Sequence, residues 1–221
     1  TTLPYGRNYL NPIIPQINQF IIDNNFKGKL LDLGCGYGEK SNIFNQIGFE
    51  VTGIDADPQR ICNAKNNYSD VNFKQYKFVD KLPFDSNSFD LIFSCSVFQY
   101  IEHESIIKEC KRILKPNGGI ILLENLKNNP ITRLGRAYLK LINFKYQSYP
   151  YNHFRYKEIN SLKKEFKQSA ASFYHFLSPF SDFKRARGFF HHLEYLDRIL
   201  FKFKPIQRYA WLTLFTAINK K

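Results

Sequence analysis

The chain has 221 residues, with 32 Lys or Arg against 19 Asp or Glu, a formal charge of +13. That length suits one domain with one sizeable core and room for appended helices. The charge favours anionic partners such as nucleic acid, anionic lipid or a phosphorylated small molecule, although a Lys-, Asn-, Ile- and Phe-rich composition supplies part of it without any function. No apolar run approaches the roughly 20 residues needed to cross a bilayer. The longest, Ala210–Ile218, is interrupted by Thr213 and Thr216. No signal-peptide pattern opens the chain, and the lack of any Met implies a trimmed or processed sequence. Cys35, Cys62, Cys95 and Cys110 form no CxxC pair. They read as thiols of a reducing, cytoplasmic compartment, with no metal site.

Strand and helix signals alternate from Lys29 to Glu124. Lys29–Leu33 is a short apolar strand. Glu39–Ile47 reads as a helix closed by Gly48. Glu50–Ile54 is a second strand, and Asp57-Pro58 caps and starts another helix. Val71–Val79 alternates loosely as a third strand. Phe89–Cys95 is a fourth, apolar throughout and so suited to burial on both faces. Glu104–Leu114 is a helix, Pro116–Gly119 a turn and Ile120–Leu123 a fifth strand. Units of this length imply a parallel, doubly wound sheet. Beyond them, Thr132–Ile142 and Lys157–Phe166 read as helices, and Ala170–Leu177 and Tyr209–Ile218 as β-like segments. Between the last two, Asp182–Phe203 is amphipathic, with Phe183, Ala186, Phe190, Leu193, Leu196, Leu200 and Phe203 at helical spacing and basic residues among them.

The strongest chemical signal is Leu30-Leu31-Asp32-Leu33-Gly34-Cys35-Gly36-Tyr37-Gly38. A strand runs into three glycines spaced two apart, and a helix follows. Glycine removes side chains that would block a ligand, and the helix start beyond offers unpaired N–H groups. Asp55 ends the second strand, 21 residues after Gly34. A carboxylate there can accept both hydroxyls of a ribose, or it can be a loop or capping acid. The dinucleotide fingerprint GxGxxG fails, because Glu39 stands where its last glycine belongs.

These residues resemble the class I S-adenosylmethionine (SAM)-dependent methyltransferases, in particular the group that includes the ubiquinone and menaquinone biosynthesis methyltransferases. The resemblance lies in LDLGCGYG, in Val51-Thr-Gly-Ile-Asp55, in Leu82-Pro83-Phe84 with Ser88-Phe89-Asp90, and in Ile113-Leu-Lys-Pro-Asn-Gly-Gly119, over roughly Leu30–Leu123. It implies a Rossmann-like α/β fold with a doubly wound, mostly parallel seven-stranded sheet and helical insertions in the C-terminal half. It implies a helical cap over 1–26, a SAM-binding core over 27–126, and sheet completion with substrate or lid helices over 127–221. It also implies SAM as cofactor. Gly34, Cys35, Gly36, Tyr37 and Gly38 would hold the methionine part, with Asp32 bracing the loop or the amino group, and Asp55 the ribose. Ala56 would lie against the adenine, and Ser94 to Phe98 would line the methyl-transfer side. The acid that often binds the adenine amino group is displaced: Phe78 fills its usual place, leaving a shifted Asp80 or backbone near Val79.

An oxygen acceptor benefits from a base, and His103, His153 and Tyr100 are the candidates near the expected pocket, each with a purely structural alternative. The fourth strand ends in Ser94-Cys95-Ser96-Val97-Phe98, without the Asn/Asp-Pro-Pro-aromatic motif of base amino methyltransferases and without a Pro-Cys nucleophile. A small-molecule or lipid-like acceptor is therefore expected ahead of RNA, with O-methylation favoured and a non-catalytic SAM-binding role as a further alternative. The aromatic segment with Tyr146, Tyr149, Tyr151, Phe154, Tyr156, Phe173, Tyr174 and Phe176 suggests a substrate pocket. The basic helical stretch 182–204 is expected to be a lid, core packing or a peripheral membrane contact.

Overall fold

The computed structural model describes residues 8–142, 152–182 and 188–220. Seven strands form one sheet in the order β3-β2-β1-β4-β5-β7-β6. They are β1 (Gly28–Leu33), β2 (Phe49–Asp55), β3 (Asn72–Gln75), β4 (Phe89–Cys95), β5 (Leu114–Asn125), β6 (Gln168–Tyr174) and β7 (Leu212–Ile218). Strands β1 to β5 pair in parallel, and β7 runs antiparallel between β5 and β6. The order reverses between β1 and β4, and in such a sheet a ligand crevice opens beyond the carboxyl ends at that switch.

Parallel strands need helical crossovers, and these cover both faces. On one face α1 (Ile14–Asp23), α2 (Glu39–Gln46) and α3 (Pro58–Asn67) bury Ile17, Ile21, Phe44 and Ile61 against Leu30, Val51 and Phe93. On the other, α4 (His103–Ile113) and α6 (Tyr156–Glu165) bury Ile106, Cys110, Ile159 and Leu162 against Leu31, Ile92 and Phe215. Helix α5 (Pro130–Leu141) follows β5, while α7 (Phe190–Leu200) and the short α8 (Lys204–Gln207) lie between β6 and β7.

The expected helix start at Asp57-Pro58 is present: the Asp57 carboxylate accepts from Gln59 N at 2.9 Å and Arg60 N at 3.3 Å. Three expectations are corrected. The third strand ends at Gln75, not Val79, because its only ladder is to Thr52–Asp55 of β2 and that ladder runs out. Pro116–Gly119 lies inside β5, where pairing with β4 shifts from Phe89↔Leu114 to Leu91↔Gly119. The amphipathic stretch 182–203 is not one helix with one buried stripe. A 3₁₀ helix occupies Ser178–Asp182, Phe183 and Ala186 lie outside the described residues, and α7 buries Phe190 and Asp197 while Leu196 faces solvent.

The Leu82–Asp90 motif is a set of fasteners. Leu82 N donates to Glu109 Oε2 at 2.7 Å. Arg112 bonds Glu109 and reaches the carbonyls of Leu82 and Phe84. Asp90 accepts from Lys29 N and from Lys115 Nζ, tying β4 to both neighbouring strands. In the C-terminal half the buried Asp197 accepts from Phe176 N, Leu177 N, Ser178 N and Ser178 Oγ, between 2.7 and 3.0 Å. Asp197→Ala strands three backbone donors at once. It is expected to cost about 2–4 kcal/mol in chemical denaturation, and a loss below 0.5 kcal/mol would remove Asp197 as the organiser of this turn.

Candidate functional site

The glycine loop begins where β1 and β2 end side by side. Gly34 N and Cys35 N both donate to Ile54 O, at 2.8 and 2.9 Å. The loop glycines answer different steric demands. A Cβ on Gly34 would collide with the Val97 side chain, and one on Gly38 would come within 2.6 Å of Phe73 Cζ. Gly36, at φ +56°, has nothing within 4 Å of where its Cβ would stand. The outer glycines allow close packing, and the middle one borders open space.

Asp55 closes this space from the β2 side. Its Oδ2 accepts from Gly36 N and its Oδ1 from Asp57 N, both at 2.9 Å. Each carboxylate oxygen keeps a further lone pair for an outside donor. Asp32 points inward and accepts from Ser41 Oγ at 2.6 Å, so it ties the start of α2 to β1. Burial pushes its carboxyl up to about 6, with the Ser41 hydroxyl working against the shift. Lys40, in the first turn of α2, lies within electrostatic reach of Cys95, Asp32 and Tyr9.

The remaining expected residues divide by position. Cys35 is buried and its thiol is pushed well up by burial. Tyr37 is exposed, with Arg60 over its ring at 5.8 Å. Ala56, Val79 and Asp80 are exposed on the loops after β2 and β3. Ser94 is fully buried and donates to Glu124 Oε1 at 3.2 Å, so its hydroxyl is turned into the fold. Sequence reasoning missed Glu124. Its carboxyl also accepts from Val97 N at 3.1 Å and Phe98 N at 3.2 Å, and burial pushes it up to about 8. A lone acid ending an otherwise apolar strand was the signal available.

The three candidate bases stand on two segments that meet at Asn152, which donates its N–H to Gln99 O at 2.9 Å. His103 Nε2 lies 3.1 Å from Phe98 O and 2.9 Å from Asn152 O, and its ring stacks on Phe154 at 3.9 Å. With two carbonyls as neighbours, that nitrogen is a donor. His153 is half-buried, and burial lowers it to about 4, with Arg136 and Lys127 adding to the shift. Tyr100 sits partly exposed in the turn after β4. Of the expected aromatic pocket, Tyr146, Tyr149 and Tyr151 lie outside the described residues. Phe173 and Tyr174 line a 680 Å³ cavity between α1, β6 and α7, together with His175, Phe190 and Phe201.

Residues 31–122 match the family described as methyltransferase domain. The chain is 32% identical over 126 residues to a ubiquinone biosynthesis O-methyltransferase of Glaesserella parasuis, covering 53% of this chain and 51% of that protein. It is 31% identical over 127 residues to a malonyl-[acyl-carrier protein] O-methyltransferase of Buchnera aphidicola, covering 57% and 50%. The chain thus spans about half the length of the curated relatives it matches. Its fold superposes on the geranyl diphosphate C-methyltransferase of Streptomyces coelicolor with a TM-score of 0.63 at 12% identity, covering 95% of this chain and 77% of that one.

Two substitutions test the site. Gly36→Val places a side chain in the open space and is expected to abolish SAM binding by calorimetry, at little cost in melting temperature beyond its backbone strain; normal binding would refute the assignment. Asp32→Asn separates stability from binding. A raised carboxyl pKa means that the folded state holds the proton to higher pH, so Asp32 subtracts stability progressively from its ordinary value of 3.8 up to about pH 6, and the full amount above that. At pH 8 the variant is expected to be more stable by about 1–3 kcal/mol and to bind SAM more weakly. Lower stability at pH 8 would show that the ionised carboxylate holds the loop.

Proposed function

We propose that this chain is a class I SAM-dependent methyltransferase that methylates a small-molecule or lipid-like acceptor at an oxygen atom. One observation carries the reading: the open space at Gly36, closed on the β2 side by the Asp55 carboxylate at the switch point of the sheet. The residues fit SAM by charge and shape. The loop Gly34–Gly38 would hold the methionine part, Asp55 the ribose, and the exposed residues Ala56, Val79 and Asp80 would flank the adenine. When bound, SAM supplies a methyl group activated on a sulfonium sulfur.

The chain's own contribution is alignment. Fixing acceptor and methyl group in line converts a bimolecular step into an effectively unimolecular one, and well-oriented intramolecular systems gain roughly 7–11 kcal/mol that way. Glu124 holds the Ser94–Phe98 turn through three hydrogen bonds and so fixes one wall of the acceptor side. A base of intermediate pKa is not needed for an acceptor that ionises by itself. His153, lowered to about 4, is neutral and weakly basic at physiological pH. The acceptor class that matches is an acidic hydroxyl, a phenol or an enol, whose own ionisation prepares the nucleophile. The two relatives named as O-methyltransferases support oxygen as the acceptor atom.

The test is methyl transfer from ¹³C-methyl SAM to a cell extract, separated into polar, lipid and RNA fractions. The chemical shift of the label distinguishes O-, N- and C-methyl products. Label in an O-methyl group of a small molecule or lipid is expected; label confined to RNA would overturn the proposal. With an acceptor that ionises by itself, His153→Ala and Tyr100→Phe should keep kcat within about tenfold, whereas removing a general base would cost about 10²–10⁴. A loss of 10² or more in either variant would identify that residue as the base.

A further inference from the structure

Helix α5 buries none of its side chains. Leu134, Tyr138 and Leu141 stand on one face of it, Leu134 at 73% and Leu141 at 80% exposure. Spacings of four and three residues place them one above another. The helix contains no acidic residue, and Arg133 and Lys140 project to the same side of that stripe. Its first turn is firmly fixed. The buried Asn129 caps it through Thr132 N and donates to the carbonyls of His175, Phe176 and Tyr209.

Helix α7 repeats the pattern. It turns Phe190 and Asp197 inward and leaves Tyr195, Leu196 and Ile199 outward, with Phe189 and Phe203 exposed at its two ends. Lys202 and Lys204 follow directly. Both helices pack against the 3₁₀ helix Ser178–Asp182, where Phe180 is also exposed. Single exposed apolar residues need no explanation, but a group this size on neighbouring elements marks a contact surface.

Charge decides the occupant. The chain carries +13, so a second copy would bring the same repelling charge, whereas an anionic bilayer brings the opposite one. A helix with an apolar stripe and flanking Lys and Arg lies in the interfacial plane of a membrane, its apolar face at the headgroup–acyl boundary and its cations among the phosphates. We propose that α5 and α7 form a lipid-docking face that holds this chain on an anionic membrane surface. The inference does not depend on the methyl-transfer reading, since it rests on a different surface from the glycine loop.

The experiment is co-sedimentation of the full chain with phosphatidylcholine vesicles and with phosphatidylcholine–phosphatidylglycerol vesicles, at low and high salt. Binding to the anionic vesicles that weakens with salt is expected, with little binding to phosphatidylcholine alone. The variant Leu134→Ser/Tyr138→Ser/Leu141→Ser should lower the partition coefficient by about tenfold or more, with melting temperature and SAM affinity unchanged. Arg133→Glu/Lys140→Glu should act in the same direction. No sedimentation of the wild-type chain with anionic vesicles at low salt would overturn the proposal, as would equal sedimentation of the triple variant. A concentration-dependent dimer in sedimentation velocity, abolished by the same triple variant, would give the face to a second copy and overturn it as well. Failure of SAM binding would bear only on the site at Gly36.

Discussion

Two parallel strands ending side by side set the geometry of the whole carboxyl edge. Because Leu33 is in register with Ile54, one carbonyl, that of Ile54, receives both Gly34 N and Cys35 N. The chain must then turn sharply within reach of the end of β2, and Asp55 stands at that end. Its carboxylate bonds one amide of each loop, so the two loops that border the crevice are fixed relative to each other. A shift of one residue in the β1–β2 register would turn Asp55 to the other face of the sheet and open this arrangement.

The buried acids around this edge carry different burdens. Asp55 is partly exposed and bonds amides while keeping capacity for a ligand. Asp32 and Glu124 are almost fully buried, and burial raises both. They serve as internal braces, Asp32 for the first turn of α2 and Glu124 for the turn after β4. Bracing from inside keeps the Asp32 and Glu124 carboxyls off the open side of both turns, and at Gly36 nothing lies within 4 Å of where a Cβ would stand. That is the condition for a ligand to approach the backbone closely. The cost of keeping charge-capable groups out of water is met by hydrogen bonds from Ser41, Ser94, Val97 and Phe98.

The motifs that carry the resemblance therefore split into two kinds. LDLGCGYG and the Asp55 string shape the crevice. Leu82–Asp90 and the Pro116–Gly119 stretch hold strands together: Asp90 bridges β1 and β5, and a Cβ on Gly119 would collide with Phe26. A motif that recurs with an activity need not touch the ligand. In this chain, half of the recognisable pattern keeps the sheet in register so that the other half can function.

The sequence by itself determined the central sheet, the loop and the acid after β2. Those features are written in local periodicity, in glycines spaced two apart between a strand and a helix, and in a carboxylate at a strand end. Only the tertiary structure decided the rest. Glu124, Asn129 and Asp197 look like ordinary polar residues in the sequence, and their importance comes from partners 19 to 80 residues away. Only the fold places two carbonyls, of Phe98 and Asn152, at the Nε2 of His103. The segment 182–203 shows a helical period, but two apolar stripes share α7, and periodicity cannot say which one meets the core. Local spacing specifies which residues line up along one element. What each line faces depends on contacts between elements distant in sequence, and those exist only once the chain has folded.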